Sequence, residues 1–334
     1  MTQEVPQAGG SAASETPLPY VVYAPDDFHP DGIARARQLF RTVVALGDDG
    51  WEQWPEHAEG LMSRIRHVHG ADIRRAVRLR AIAKQGVGLN SIDVAAAREC
   101  GIAVCNSPGI NADFVAELAL GLAISVARRI GEGDRRMRAG EALIATELMG
   151  HSVFGRTVGI IGMGHAGLAT ARIFQRALGC RVVAYSGGHS AQAGWSEVSH
   201  ERCDSLEELL KQAEILSLHI PLTAKTEGSV GAKQFDLLPA NAILINCARG
   251  GVVDEAALLE ALRSGRLGGA GLDTLAHEPA TAERYGSGLY ACSNVVVCPH
   301  IGAATEDCQR ISAIAVAENL ALLLQGKDCP GTVP

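Results

Sequence analysis

Residues 157–186 read TVGIIGMGHAGLATARIFQRALGCRVVAYS, and the order of residue types in this stretch decides the fold. An apolar run rich in β-branched residues meets three glycines, then a helical period, then a second apolar run. Gly162, Gly164 and Gly167 have the GxGxxG spacing between strand and helix, with Met163, His165 and Ala166 filling the loop. In that context the first glycine permits a tight turn and the second lets backbone approach a pyrophosphate. The third allows close helix–strand packing, and the helix N-terminus faces the anion. The stretch reads as a dinucleotide-binding βαβ unit.

Working outward, the same alternation continues on both sides. Upstream lie the strand-like runs YVVYA (20–24), LRAIAKQG (79–86) and IAVCNSPG (102–109), separated by the helical periods DGIARARQLFRTVVALG (31–47) and SIDVAAARECG (91–101). Strands alternating with helices imply parallel sheets. A helix follows at 112–130, where Val115, Leu118, Leu122 and Val126 share one apolar face and which is read as a link between two domains. Downstream, Asp254 opens and Gly265 closes a further helix, and the last strand is NVVVC (294–298). The closing helical stretch, 303–326, is read as returning to the first domain.

The chain has 334 residues, enough for two domains of ordinary size. Its net charge of −7 argues against nucleic acid or an anionic membrane as principal partner. Nine cysteines, none in a CxxC pair, fit reduced thiols in a cytoplasmic protein and no zinc pattern. Residues 1–19 are polar, small and proline-bearing and read as a disordered leader. No apolar run approaches the length of a membrane span.

In an open parallel sheet, ligands bind beyond the carboxyl ends of the strands. Five polar residues stand where successive strands stop: Ser186, His219, Arg249, Asp273 and His300. Ser186 occupies the place of the acid that usually accepts hydrogen bonds from the adenosine ribose; a hydroxyl does not repel a 2′-phosphate. His189 follows as a possible donor, so the reading takes in both NAD and NADP and leans to NADP. Arg249 offers a planar fork suited to a carboxylate or a carbonyl oxygen, and Gly250 and Gly251 let backbone and substrate come close. His300 follows Pro299, a stiff exit, and Glu278 lies in the loop after the Asp273 strand. A carboxylate beside an imidazole favours the ring's charged form, suiting His300 to proton transfer. His277, His67 and His69 are expected to be surface residues.

GVGLNSIDV (86–94), GIAVCNSPGINADFVAELALGL (101–122), GRTVGIIGMGHAG (155–167), SLHIPLT (217–223), INCARGGVVDE (245–255), GAGLDT (269–274) with EP (278–279), and PHIGAAT (299–305) together resemble the D-isomer-specific 2-hydroxyacid dehydrogenases. The resemblance covers nearly everything after the leader. It implies an α/β protein of two Rossmann-like, doubly wound parallel-sheet domains with a cleft between them: a substrate domain of residues 20–112 plus 303–334, and a dinucleotide-binding domain of 113–302. By motif match Arg249 anchors substrate, Glu278 partners the histidine and His300 gives and takes the proton. The amides around Val87 and Gly88 would hold the substrate carboxylate, Asp273 would face the nicotinamide carboxamide, and His219 and Pro221 join the cofactor set. The resemblance further implies a homodimer acting on a small 2-keto or D-2-hydroxy acid: hydroxypyruvate, glyoxylate, a keto sugar acid or the 3-phosphoglycerate type. Arg64, in GLMSRIRHVHG (60–70), is the candidate contact for a distal phosphate or carboxylate. Ser186 and Ala276 depart from the family's acids, and Glu278 disfavours the formate-oxidising branch, which has glutamine there. Corepressors similar to these dehydrogenases supply the alternative, a nucleotide-sensing scaffold of the same fold.

Overall fold

The structure, a computed structural model, describes residues 16–187 and 193–333. In chain order the strands are β1 (Leu18–Ala24), β2 (Phe40–Ala45), β3 (Gly60–Ser63), β4 (Ala81–Lys84), β5 (Ala103–Cys105), β6 (Thr157–Ile161), β7 (Arg181–Tyr185), β8 (Glu201–Arg202), β9 (Ile215–Leu218), β10 (Ile243–Asn246), β11 (Gly269–Leu272), β12 (Val295–Val297) and β13 (Thr332–Val333). The chain divides into two compact units: one runs up to Pro108 and resumes at Gln309, the other is Gly109–Cys308. Most of the segment read as a leader lies outside the described residues, but β1 starts at Leu18, inside that segment.

In the first unit the sheet order is β13-β5-β4-β3-β1-β2, parallel except for β13. Alternate residues of each strand serve opposite faces. Val22, Met62 and Ala83 pack on Ala313, Val316 and Leu320 of the helix Glu306–Leu324. Their neighbours Tyr23, Leu61 and Ile82 pack on Ile73, Ala96 and Ala97. Here the structure corrects the sequence reading of 31–47 as one helical period. The helix Pro30–Leu39 stops where Phe40 turns extended (φ −124, ψ 144), and Phe40–Ala45 pairs in parallel with β1. Thr42, Val43 and Val44 are the cause: β-branched side chains fit a pleated surface better than a helix. The short strands β3, β8 and β13 were not anticipated either.

The second unit has seven parallel strands in the order β12-β11-β10-β9-β6-β7-β8. Val158, Ile160, Val182 and Ala184 meet the helix Ala112–Ala127 and Phe174 on one face. Ile161, Val183, Leu216, Leu218 and Leu244 meet Phe235, Leu258 and Leu262 on the other. Phe174 is wholly buried, which contributes about 2–3 kcal/mol. The helix Ala112–Ala127, expected to link two domains, lies within this unit. Strand order reverses direction between β6 and β9, and the carboxyl ends of both strands open on that switch point.

Candidate active site

The turn after β6 shows what each glycine does. Gly162 has φ +105, and a Cβ there would lie 2.3 Å from the His219 carbonyl oxygen. A Cβ on Gly167 would lie 2.0 Å from the Gly162 carbonyl oxygen, whereas one on Gly164 would meet nothing within 4 Å. The outer two glycines are thus required by backbone packing, and the middle one faces open space at the start of the helix His165–Leu178. His219 stands across the switch point. Its Nε2 bonds the Ser217 hydroxyl at 2.8 Å, while its buried Nδ1 has no partner among the described residues. Burial lowers its pKa to about 4, so the ring is neutral near pH 7. An open cradle at a helix N-terminus and an orphaned ring nitrogen beside it fit a dinucleotide.

Ser186 directly follows β7, Pro221 lies two residues beyond His219, and His189 falls outside the described residues. Met163 turns its side chain into the core, and its carbonyl accepts the Trp195 indole N–H at 2.8 Å.

The other strand ends stand in register, Asn246 beside Leu272 and Leu272 beside Val297. The residues that follow are laced across. Asp273 N–H donates to the Asn246 carbonyl at 2.9 Å, Cys298 N–H to Leu272 at 2.8 Å, and His300 N–H to Asp273 at 2.8 Å. Arg249, Asp273 and His300 therefore leave three adjacent strands at one edge. The loop carrying Glu278 follows β11, and His300 Nδ1 lies 2.9 Å from Glu278 Oε2. Both side chains are partly open, 44% and 40% exposed, so the ring's Nε2 remains available to a ligand.

Arg249 answers for the glycines beside it. Gly250 packs so closely under the Glu278 loop that a Cβ would lie 1.9 Å from the Leu275 carbonyl carbon. Arg249 itself is half-buried and donates from Nη1 to the Ala248 carbonyl at 2.6 Å. No carboxylate pairs with it among the described residues, which argues against a structural ion pair at this strand end.

Asp273, expected to face nicotinamide, also has partners in its own chain. It is buried, and both oxygens already accept backbone amides: Oδ1 from Ile301 at 2.7 Å, Oδ2 from Gly302 at 2.9 Å. These bonds fasten the turn in which His300 adopts φ +57. Sequence reasoning missed this second duty. A hint was available in the strand-end position of Asp273 and the glycine two residues past His300.

In the first unit, Val87 and Gly88 follow β4, and their N–H groups have no hydrogen-bond partner among the described residues. Asn106 Nδ2 holds the Val87 carbonyl at 2.8 Å. Arg64 donates its guanidinium to the Asp27 carbonyl, and its backbone N–H to Asp26 at 2.7 Å. His277, His67 and His69 are exposed, the last two with stacked rings 5.6 Å apart. No helix among the described residues is long and apolar enough to cross a membrane.

Residues 120–302 match the model of the D-isomer specific 2-hydroxyacid dehydrogenase NAD-binding domain. The chain is 39% identical over 267 residues to a glyoxylate reductase of Thermococcus litoralis, covering 78% of each. It is 37% identical over 306 residues to a D-3-phosphoglycerate dehydrogenase of Mycobacterium leprae, covering 87% of this chain but 56% of that one. Among solved structures, the TT0316 protein of Thermus thermophilus superposes with a TM-score of 0.80 at 34% identity, covering 95% of this chain and 100% of that one.

Proposed function

The chain belongs to the D-isomer specific 2-hydroxyacid dehydrogenases, and on that premise we propose that His300, Glu278 and Arg249 carry out the reduction of a small 2-keto acid. The protein is an NAD(P)-dependent oxidoreductase of small 2-keto and D-2-hydroxy acids. The observation carrying the residue assignment is the His300–Glu278 hydrogen bond at the carboxyl edge of the sheet, alongside an arginine without an acidic partner among the described residues.

A dinucleotide held at the Gly162–Gly167 turn beside His219 would supply hydride for the carbonyl carbon. Glu278 accepts from His300 Nδ1–H, which fixes the ring's orientation and leaves Nε2–H as the proton donor to the carbonyl oxygen. Arg249 stabilises the negative charge that grows on that oxygen. The amides of Val87 and Gly88, without a hydrogen-bond partner among the described residues, are the first unit's candidates for binding a carboxylate. Arg64 is engaged with a backbone carbonyl, which favours a short acid such as glyoxylate or hydroxypyruvate over a phosphorylated one.

A spectrophotometric panel of 2-keto acids with NADH and NADPH tests this reading. Rapid oxidation with the short acids is expected; dinucleotide binding without turnover on any acid would favour a nucleotide-sensing scaffold instead. We read the neutral Ser186 as accommodating NADPH. Ser186→Asp is expected to raise the KM for NADPH about tenfold or more, through repulsion of the 2′-phosphate. An unchanged KM would take Ser186 out of cofactor choice.

The homodimer implied by the resemblance is supported by exposed apolar side chains in one segment of the second unit: Ile130, Met137, Ile144, Met149 and Phe154. We propose that this segment contributes to the interface between two copies. Light scattering is expected to give twice the chain mass, and Phe154→Asp with Met149→Asp to lower it to one. A wild-type monomer at micromolar concentration would refute the assembly.

A further inference from the structure

The loop bearing Glu278 is held from behind by two side chains to which the sequence reading gave no role, Glu255 at the end of INCARGGVVDE and Tyr285. Glu255, the first residue of the helix Glu255–Arg263, accepts the Ala276 N–H on Oε1 at 2.7 Å. Tyr285 accepts the His277 N–H on its hydroxyl at 3.1 Å and donates to Glu255 Oε2 at 3.2 Å. Glu278 completes the series by accepting the Leu275 N–H on Oε1 at 3.3 Å. Three consecutive amides, 275–277, thus end on side chains rather than in a ladder. On the other side, Gly250 meets the 275–276 backbone with no room for a Cβ.

We propose that Glu255 and Tyr285 are positioning residues that set the Glu278 loop so that its carboxylate stays within hydrogen-bonding reach of His300. Both are well placed to be rigid. Asp254 caps the Glu255 helix by accepting the Ala256 and Ala257 N–H groups, and Tyr285 is 5% exposed within the core. Tyr285 keeps its proton: burial first, then the Glu255 carboxylate, raises its pKa, so the hydroxyl can donate to Glu255 throughout the neutral range. Each Glu255 oxygen has its own task, one for the loop and one for the tyrosine. Glu255 therefore acts at a distance, through an amide of the loop and not by touching substrate.

This inference rests on the reading of Glu278 and His300 given above. In Glu255→Ala, kcat for the best 2-keto acid is expected to fall about 10- to 100-fold, because loss of about an ångström of placement has that scale of effect. Dinucleotide Kd and Tm should stay near wild type, and the solvent deuterium isotope effect on kcat should rise as proton transfer slows. Glu255→Gln, whose amide oxygen still accepts the Ala276 N–H, should recover most of the rate. Tyr285→Phe should show a smaller loss of the same kind. Nitrogen-15 NMR of the histidines gives a readout independent of turnover: the hydrogen-bonded Nδ1–H signal of His300 should weaken or broaden in Glu255→Ala.

A Glu255→Ala protein with wild-type kcat, or one that keeps the His300 signal unchanged, overturns the proposal. So does a loss of rate matched by an equal loss of dinucleotide binding and Tm, which would mark a purely structural residue. A wild-type enzyme inactive on every 2-keto acid would sink the function instead, and the NMR comparison would still decide the positioning role.

Discussion

His300→Ala is expected to lower kcat for 2-keto acid reduction about a hundred- to ten-thousandfold, the usual contribution of a placed general acid, while dinucleotide Kd stays near wild type. The separation follows from the sheet. His300 leaves β12 at one edge strand, whereas the glycine turn and His219 belong to β6 and β9 nearer the centre. Removing the ring strips Glu278 of its partner but leaves its other oxygen on Leu275 N–H, so the loop keeps a local anchor. Steady-state kinetics with fluorescence titration of the reduced dinucleotide measures both quantities. An unaltered kcat would remove His300 from the chemistry, whatever else it binds.

Arg249→Ala comes second in size, and its signature differs. The guanidinium is assigned to the same oxygen in the bound acid and in the transition state, with a stronger hold as negative charge grows. Both KM and kcat should therefore suffer, and kcat/KM should fall about a hundred- to a thousandfold. Little cost in folding is expected, because among the described residues its side chain bonds to the neighbouring Ala248 carbonyl alone. Arg249→Lys should recover only part of the loss, since an ammonium has no planar fork. Kinetics for all three proteins, with Tm as control, checks this; a variant that loses kcat at constant KM would move Arg249 away from substrate.

The parts legible in the sequence are those where chemistry and strand order coincide. Gly162 and Gly167 announce their turn because no other residue fits their backbone surroundings, and Gly164 between them leaves the helix start open. Arg249, Asp273 and His300 could be gathered because parallel strands deliver their carboxyl ends to one edge. What was not legible depends on contacts without a local period. Phe40–Ala45 looked helical since its apolar residues continue the preceding pattern; the β-branched Thr42, Val43 and Val44 and the pairing with β1 make it a strand. Glu255 reads as an ordinary acid in the first turn of a helix, and Tyr285 as a core aromatic. Their shared duty appears only when the Glu278 loop folds back over both. Asp273 shows a subtler gap: motif matching gave it one ligand, and the structure gives it two amides of its own chain.

The left-handed backbone at His300 carries a wider implication. An L-residue in that conformation costs about 1–2 kcal/mol that glycine avoids. Glycine there would relieve the backbone, and on the proposed role of His300 it would remove the proton donor. Durability and turnover therefore pull this position in opposite directions, and a screen that rewards heat resistance alone would discard the histidine.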